Sequence, residues 1–402
     1  MSVTVLYAAQ GAKMLQYKVD VEAGTLEPFG EIELPCAIQY AWADSKRTHL
    51  YAACSDGSPP PGPLGSKHLL VALRIDQKTG ALAMVGKQSR LLGRTVHMTL
   101  DATDRYAVVA YNNPAGVTVN AIAADGTLEA DAGTPQDIDP GSYPHQIRIT
   151  PSNQYVVLVA RGTRPTAKAP GTPGALKVSA FKDGKLTNHA SIAPGGGEKF
   201  GPRHLDFHPM KPWVYVSLEL QNKLHMYSLE GDQFSPQPLH VRDTLPAGTF
   251  VVPRQVAGTI HVHPDGRTVY VANRCNGTIE FEGKHFYTGG DNTIAVFSID
   301  QQTGEPTLIQ HEDTRGMHAR TFSIEPTGRL MVAEHNIAVH VREDDSTGSH
   351  VVPGGFSLLR VHPDGKLAFL RRYAVETDKH PLWWSKLYSI GNSGNRGQTT
   401  IS

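Results

Sequence analysis

The sequence predicts an all-β protein built from repeated antiparallel hairpins, and three observations support this fold class. Apolar and polar residues alternate with a period of two rather than 3.6, which is typical of half-buried strands. The 402 residues include 39 Gly and 28 Pro, a larger share of these turn formers than usual. A unit of about 50 residues also recurs along the chain, as in repeat architectures.

The first repeated unit is a hairpin in which two apolar strands flank a Pro- or Asp-containing turn. It occurs six times, from YAWADSKRTHLYAA through IHVHPDGRTVYVANR to FSIEPTGRLMVAEHN. The turn residues that anchor the six copies are Ser45, Ala102, Pro151, Pro209, Pro264 and Pro326, with spacings of 57, 49, 58, 55 and 62 residues. Such regular spacing indicates one structural unit per repeat.

A second hairpin lies between copies of the first, and it occurs seven times, as in MLQYKVDVEAGTL and TIAVFSIDQQTGEP. One hairpin of each kind would make a four-stranded blade. Seven hairpins of the second kind and six of the first therefore leave the seventh blade one hairpin short. The N-terminal VTVLYAAQ and the C-terminal PLWWSKLYSI supply two strand-like segments that would complete it. We therefore predict a seven-bladed β-propeller with four antiparallel strands per blade, closed by pairing the two terminal strands, as one domain over residues 1–402.

Additional Pro- and Gly-rich segments interrupt the repeats at 55–67, 161–174, 242–258 and 280–291. They are too short to be domains. We interpret them as loops that form the walls of a mouth on one face of the ring.

Composition limits the classes of partner and the compartment. The chain has 38 Lys and Arg against 38 Asp and Glu, so neither a nucleic acid nor a membrane surface is expected as a partner. The N-terminal segment lacks the features of a signal peptide. The three cysteines show no paired spacing, which is typical of a reducing compartment. We expect a cytoplasmic protein, and the sequence leaves its oligomeric state open.

The open ends of the first hairpins bring ionisable residues to one end of the ring. The start of the first strand and the end of the second are neighbours opposite the turn, and the innermost strands of a propeller line its channel. Six residues before the anchors stand Gln39, Val96, His145, Arg203, Gly258 and Arg320. Ten residues after them stand Ser55, Asn112, Arg161, Glu219, Arg274 and Asn336.

Five of these residues define a predicted rim: His145, Arg203, Glu219, Arg274 and Arg320. Each of them alone could equally face water or pair with a neighbour. Three Arg with one Glu and one His are net positive, however, and guanidinium groups bind carboxylates and phosphates in bidentate geometry. The sequence therefore predicts a small anionic substrate, held through a carboxylate or a phosphate group.

The other histidines fall into three groups. His318 lies two residues before Arg320, and His97 follows Val96. Both are therefore expected to contact the substrate or the residues that bind it. His204 is expected to point to the opposite face of its strand from Arg203. The histidines that precede Pro in turns are expected to act as caps at the far end of the hairpins: His208, His263 and His362.

No motif of a metal site, a P-loop, a dinucleotide site or a nucleophile elbow is present. Glu219 with Asn112 and Asn273 could form a calcium site in a propeller channel. The neighbouring Arg203 and Arg274 argue against it, because two guanidinium groups repel a divalent cation. We expect no metal and no other cofactor.

These segments resemble the seven-bladed β-propeller lactonases, which include 6-phosphogluconolactonase-like proteins and the fungal 3-carboxy-cis,cis-muconate lactonizing enzyme. The resemblance covers nearly the whole chain and is strongest in YPHQIRITPSNQYVVLVARG, GPRHLDFHPMKPWVYVSLE and GTIHVHPDGRTVYVANR. It implies that His145, Arg203, Glu219 and Arg274 occupy the proposed active site of the family. One departure is AEHN at 333–336, where the family often has Asn or Gln.

Three functions follow from this reading. The first is hydrolysis of a sugar-acid lactone, with Glu219 or His145 as general base and Arg203 or Arg274 stabilising the oxyanion and holding an anionic group. The second is a cycloisomerase in which the carboxylate of the substrate adds across a double bond. The third is a propeller that binds a ligand or a protein and catalyses nothing.

Overall fold

Strand pairing confirms the predicted propeller. The computed structural model describes residues 2–59, 62–281, 283–342, 348–377 and 379–391. In these ranges the strands form seven antiparallel blade sheets and one further sheet. The described part of the chain contains no helix with the length and apolar character needed to cross a bilayer.

The innermost strands of the seven blades form a closed ring. They are β4 (Ala37–Ala43), β8 (Thr95–Leu100), β12 (Pro144–Ile149), β16 (Pro202–Phe207), β21 (Gln255–Val262), β27 (Ala319–Ile324) and β33 (Leu382–Ile390). Each of them contacts the next, and β33 contacts β4. The channel of the propeller runs inside this ring.

The remaining blade strands follow outward in order. The second strands are β1 (Val3–Gln10), β5 (His49–Ser55), β9 (Tyr106–Asn112), β13 (Tyr155–Ala160), β17 (Trp213–Leu218), β22 (Thr268–Cys275) and β28 (Leu330–His335). The third strands are β2 (Lys13–Asp20), β6 (His68–Ile75), β10 (Ala115–Ala121), β14 (Ala175–Lys182), β18 (Lys223–Glu230), β25 (Thr293–Ile299) and β31 (Gly355–Val361). The outer strands are β3 (Thr25–Glu33), β7 (Leu82–Arg90), β11 (Thr134–Pro135), β15 (Lys185–Ile192), β19 (Gln233–Phe234), β20 (His240–Asp243), β26 (Pro306–Asp313) and β32 (Leu367–Ala374).

The predicted closure by the terminal strands is also confirmed. Strand β1 pairs with β33 in antiparallel register from Val3 opposite Ile390 to Ala9 opposite Trp384. The blade made of β33, β1, β2 and β3 therefore combines both ends of the ring. Pairing in this way removes two free strand edges.

Apolar packing between neighbouring blades holds the ring together. Middle strands such as β17, WVYVSL, are buried along their whole length, because both faces of a blade are covered by the adjacent blades. The described residues contain seven buried apolar clusters, and each combines residues from two neighbouring blades. The core of this fold is thus a set of interfaces between blades.

Tyrosine hydroxyls connect neighbouring blades at four of these interfaces. Each belongs to a second strand and donates to a Gly carbonyl oxygen in the turn between the third and outer strands of the next blade: Tyr7 to Gly80 (2.6 Å), Tyr51 to Gly126 (2.8 Å), Tyr215 to Gly304 (2.8 Å) and Tyr270 to Gly365 (2.8 Å). The four glycines all have positive φ, which explains the Gly in the turn of the second repeated hairpin. Nε2 of His208 and of His263 contacts a Gly carbonyl of the next blade in a similar way, at 2.8 Å and 2.9 Å, as expected for caps.

A β-bulge recurs at the same place in all seven innermost strands. The extra residue in each strand is one of Gln39, Val96, His145, Arg203, Gly258, Arg320 and Trp383. The first six are the residues six positions before the hairpin anchors. Because a bulge redirects side chains, both the extra residue and the one after it face the channel in several blades. His204 therefore lines the channel with Arg203, and the expectation that it points to the opposite face is wrong.

The further sheet was not predicted. It contains β23 (Thr278–Phe281), β24 (Lys284–Tyr287), β29 (Val339–Arg342) and β30 (Ser349–Val352). The interpretation of 280–291 as a loop is wrong for the part that forms these strands. The hairpin of β23 and β24 extends from one blade, and the hairpin of β29 and β30 extends from the next. The two hairpins pair through β24 and β29, between Phe286 and His340. This pairing satisfies backbone groups that each hairpin alone would leave unpaired.

Candidate active site

A cavity of about 430 Å³ opens at one end of the channel, and we call it the outer cavity. Six of the seven residues predicted for the site line it: His145, Arg203, Glu219, Arg274, His318 and Arg320. The seventh, His97, lies deeper in the channel. The cavity also includes residues of three predicted mouth segments, namely Pro59, Arg161, Arg164, Arg254 and Val256.

Two structural positions supply most of these side chains. His145, Arg203 and Arg320 are the bulge residues of β12, β16 and β27. Glu219 directly follows β17, and Arg274 lies near the end of β22. The hairpin arrangement therefore brings both sets to the same end of the ring, as the sequence predicted.

Glu219 is the centre of a buried ion cluster. Arg161 Nη1 donates to Glu219 Oε1 at 2.7 Å, and Arg203 Nη1 donates to Oε2. Arg274 Nη2 approaches the same Oε2 at 3.4 Å. The side chains of Glu219, Arg203 and Arg274 are all less than a tenth exposed.

These contacts determine the ionisation of Glu219. Burial by itself raises the pKa of this carboxyl, but Arg203, Arg161 and Arg274 outweigh burial and hold its pKa well below the ordinary value. The carboxylate is therefore ionised throughout the physiological pH range. Both of its oxygens accept hydrogen bonds from guanidinium groups, so it holds the arginines in position.

Arg274 also fixes His318. Arg274 Nη1 lies 2.9 Å from His318 Nε2, and since guanidinium can only donate, this nitrogen accepts and the ring proton is on Nδ1. The backbone N–H of His318 donates to Asn292 Oδ1 at 2.7 Å. Burial and the nearby Arg274 and Arg320 hold the pKa of His318 well below 6.5.

His145 differs from His318 because its ring has no hydrogen-bond partner among the described residues. Its Nδ1 is shielded from solvent, and the ring lies 5.1 Å from that of His204. Burial, followed by Arg203 and three other arginines, holds the pKa of His145 well below 6.5. A neutral imidazole with a free nitrogen can accept a proton from a bound molecule.

A second, narrower cavity of about 210 Å³ continues along the channel, and we call it the inner channel. Its carboxylate is Asp206, which accepts from Arg148 Nη1 at 3.0 Å and from the Val262 N–H at 3.0 Å. The ring of His97 packs against Tyr40 with the centroids 4.0 Å apart. His97 is thus separated from the Glu219 cluster by the bulge residues.

The sixth copy of the first hairpin contributes a buried carboxyl that the sequence did not assign. Glu334 lies on β28 and is fully buried, and both of its carboxyl oxygens lack hydrogen-bond partners among the described residues. Burial raises its pKa to about 7, against the opposing effects of the nearby Ser385 hydroxyl and of Arg320. This residue is in the AEHN segment, where the sequence departs from the family pattern.

Sequence reasoning missed five side chains that line the outer cavity: Arg94, Tyr143, Leu220, Asn276 and Trp383. Arg94 lies in the loop before β8, outside both hairpin positions. Trp383 is the bulge residue of β33, and the adjacent tryptophans of PLWW were the only signal for it. Arg161 lies ten residues after the anchor Pro151, but no role in the site is predicted for it from the sequence.

The described residues contain no group of three or more His, Cys, Asp or Glu side chains arranged to hold a metal ion. Asn273 was a candidate for a calcium site; its Nδ2 donates to the Thr244 carbonyl oxygen at 2.6 Å, and its Oδ1 has no partner among the described residues. Both oxygens of Glu219 accept from arginines. Because guanidinium groups surround this carboxylate, the donor set near the cavity does not fit a divalent cation.

The fold and the site together define a β-propeller with an arginine-rich cavity at one end of its channel. The chain belongs to the family described as "Lactonase, 7-bladed beta-propeller", whose model matches residues 2–348. This membership places the chain among the lactone hydrolases, as the resemblance implied. The extension of one domain over all of 1–402 stays a prediction.

Two relatives and one solved structure show the extent of the similarity. The chain is 27% identical over 302 residues to the 6-phosphogluconolactonase of Bacillus subtilis (strain 168), covering 72% of this chain and 78% of that protein. It is 25% identical over 372 residues to the 6-phosphogluconolactonase of Serratia proteamaculans (strain 568), covering 91% and 93%. The periplasmic gluconolactonase PpgL of Pseudomonas aeruginosa has the same fold, with a TM-score of 0.69, 18% identity and coverage of 97% and 99%.

Proposed function

We propose that this protein hydrolyses an anionic sugar-acid lactone, with His145 as the general base. The observation that carries the proposal is the imidazole of His145, which lies with Arg203 in a cavity lined by guanidinium groups and has no hydrogen-bond partner among the described residues. A general base of this kind contributes about 10²- to 10⁴-fold to the rate.

The contacts favour His145 over Glu219 as the base. Both oxygens of Glu219 accept hydrogen bonds from guanidinium groups, so neither is free to take a proton from water, whereas the His145 ring has no hydrogen-bond partner among the described residues. In this proposal Glu219 is a positioning residue that orients Arg203 and Arg274.

Arg203 would stabilise the charge that develops during the reaction. His145 removes a proton from water, the resulting hydroxide attacks the lactone carbonyl carbon, and the carbonyl oxygen becomes an oxyanion. Guanidinium has five N–H donors, so Arg203 can contact Glu219 and still donate to the oxyanion. When the intermediate collapses, the bond to the ring oxygen breaks and the imidazolium returns its proton to that oxygen.

The reaction as proposed needs no metal ion, because guanidinium groups supply the positive charge. The relatives named 6-phosphogluconolactonase support a phosphorylated or carboxylated sugar lactone as substrate, and hence a role in carbohydrate metabolism. We propose a cytoplasmic location because the three cysteines are free thiols, as is typical of a reducing compartment.

Acid release measured in a pH-stat tests the proposal with 6-phosphogluconolactone, glucono-δ-lactone and a uronic acid lactone. We expect hydrolysis above the spontaneous rate for at least one anionic lactone, unaffected by a chelator. The value of kcat/KM should stay level down to pH 6, because the base loses activity only below its lowered pKa. No rate above background on any lactone would refute the proposal, and ultraviolet loss of a substituted muconate would instead indicate the cycloisomerase.

A further inference from the structure

Four of the arginines that line the outer cavity have no carboxylate partner within ion-pairing distance in the described part of the chain: Arg164 and Arg254, which are exposed, and Arg94 and Arg320, which are not. Arg94 is 8% exposed, and its Nε is buried without a hydrogen-bond partner. Arg320 is the bulge residue of β27, and it also faces the cavity. They contrast with Arg161, Arg203 and Arg274, whose charges are directed at Glu219.

Trp383 holds both of these guanidinium groups. The Arg320 guanidinium lies 3.6 Å from the centroid of a Trp383 ring, and that of Arg94 lies 5.3 Å from it. Arg320 Nε also donates to the Trp383 backbone carbonyl at 3.1 Å. Stacking of this kind orients a guanidinium group while leaving its terminal N–H groups free for a ligand.

The two charges are costly in the absence of a ligand. Burial lowers the pKa of Arg94 to about 10, and burial with the neighbouring Arg203 lowers that of Arg320 to about 9. The carboxyl group that most stabilises the charge of Arg320 is that of Glu334, but burial raises the pKa of Glu334 itself. An anion that contacted both guanidinium groups would relieve this cost.

We propose that Arg94, Arg320 and Trp383 form an anion subsite that binds the phosphate monoester of the substrate, apart from the Glu219 cluster that serves the lactone carbonyl. A phosphate monoester carries a charge of about −1.5 to −2 at pH 7. This charge balances two guanidinium groups better than the single negative charge of a carboxylate does. The cavity, at about 430 Å³, is in the range of pockets that hold ligands of this size. This inference rests on the proposed function for its substrate class.

Equilibrium binding tests the subsite without depending on catalysis. Isothermal titration calorimetry would compare 6-phosphogluconate, glucarate and gluconate on the full chain. Relative to gluconate, the first has a phosphate ester on the C6 hydroxyl and the second has C6 oxidised to a carboxylate. We expect 6-phosphogluconate to bind at least 10-fold more tightly than either of the others. Arg94→Gln should reduce this preference to less than 3-fold and leave gluconate affinity within about 2-fold.

Two further variants keep the test decisive. Arg94→Lys retains a charge but loses the planar fork, so it should keep part of the preference. Arg105→Gln removes an exposed arginine from the turn between β8 and β9, far from the cavity, and should change nothing. Melting curves show that each variant is folded; should Arg94→Gln unfold, Arg94→Lys and Trp383→Phe decide the matter, because both should weaken phosphate preference.

Three outcomes would overturn the subsite: equal binding of all three ligands, tighter binding of glucarate than of 6-phosphogluconate, or unchanged preference in the folded Arg94 variants. Kinetics separate this failure from failure of the proposed function. If lactones are hydrolysed and Arg94→Gln keeps the same KM for the phosphorylated lactone, only the subsite is wrong. If no lactone is hydrolysed but Arg94→Gln loses phosphate preference, the subsite stands and the proposed reaction fails.

Discussion

The outer cavity and the inner channel are built from the same ring of bulges but differ in charge. Each has one ionised carboxylate, Glu219 in the outer cavity and Asp206 in the inner channel. Around Glu219 stand three guanidinium groups, and four more line the cavity with no described carboxylate within ion-pairing distance, namely those of Arg94, Arg164, Arg254 and Arg320. Around Asp206 the charge is nearly balanced by Arg148.

Three other basic groups of the inner channel have lowered pKa values. Burial, followed by Arg148, holds the pKa of His97 well below 6.5, and burial with Arg203 does the same for His204. Burial and Arg148 lower the pKa of Lys386 to about 7. Seven arginines line the outer cavity and three line the inner channel, with Arg203 and Arg320 common to both. A ring of equivalent positions therefore produces a mouth that is more electropositive than the channel, so anion recognition is expected mainly at the mouth.

The largest effect is expected for His145, which lines both the outer cavity and the inner channel. His145→Gln should lower kcat by about 10²- to 10⁴-fold, with KM within a few-fold, because the base is lost while the arginines remain. Steady-state kinetics measure this, with His189→Gln on the exposed face of β15 as the control. A variant as active as the wild type would remove His145 from the mechanism.

Removing the carboxylate of the outer cavity should be the next largest effect. Glu219→Gln leaves Arg203 and Arg274 buried without their counter-ion, so we expect a loss of about 3–5 kcal/mol in the free energy of unfolding. The displaced oxyanion donors should also lower kcat/KM by about 10²- to 10³-fold. Denaturant titration and kinetics measure the two effects.

The matched control for Glu219→Gln is Glu305→Gln. Glu305 pairs with Arg242 at the surface, where an ion pair contributes at most about 1 kcal/mol. Equal losses of stability in the two variants would show that burial of the Glu219 cluster has no energetic consequence.

The same change in the inner channel should affect stability but hardly activity. Asp206→Asn removes the charge that accepts from Arg148 and from the Val262 N–H, and we expect a loss of about 1–3 kcal/mol. Since no substrate group is assigned to the channel, kcat/KM should stay within about threefold. Asp139→Asn, in an exposed pair with Lys177, is the control, and a large loss of activity in Asp206→Asn would contradict the division between the regions.

The smallest expected effect concerns Glu334 and appears only in its pH dependence. The pKa of this carboxyl is raised in the folded protein to about 7 from about 4.5 in the unfolded chain, so the folded state holds the extra proton between these values. Its contribution to stability is present below pH 4.5 and is lost as the pH rises to 7. The Tm of Glu334→Gln minus that of the wild type should therefore increase by a few degrees from pH 5 to pH 8, whereas Glu129→Gln should show no trend.

The sequence predicted the ring and most of the outer cavity because both follow from hairpin geometry. Equivalent positions of successive hairpins must lie at the same end of a ring, so counting from the turn anchors found His145, Arg203, Glu219, Arg274 and Arg320. Closure by VTVLYAAQ and PLWWSKLYSI followed from the missing hairpin.

The parts that escaped prediction do not follow from the repeat. The bulge adds one residue to each innermost strand and breaks the strict alternation of faces, which placed His204 in the channel. Arg94 lies in a loop with no fixed register, and Trp383 belongs to a strand without a turn anchor. The contacts that favour His145 over Glu219 as the base depend on arginines from different blades that converge on the oxygens of Glu219.

The recurring bulge has a consequence for how such a propeller can change its chemistry. Each blade offers the channel a short cassette of adjacent side chains, such as His145 with Gln146, Arg203 with His204 or Trp383 with Trp384. The apolar clusters between blades do not include His145, Gln146, Arg203 or His204, whereas Trp384 belongs to one cluster and Val96 packs against another. Substitutions can therefore exchange the cassettes of β12 and β16 one at a time, and a library limited to these positions would explore new substrates on a scaffold whose packing stays intact.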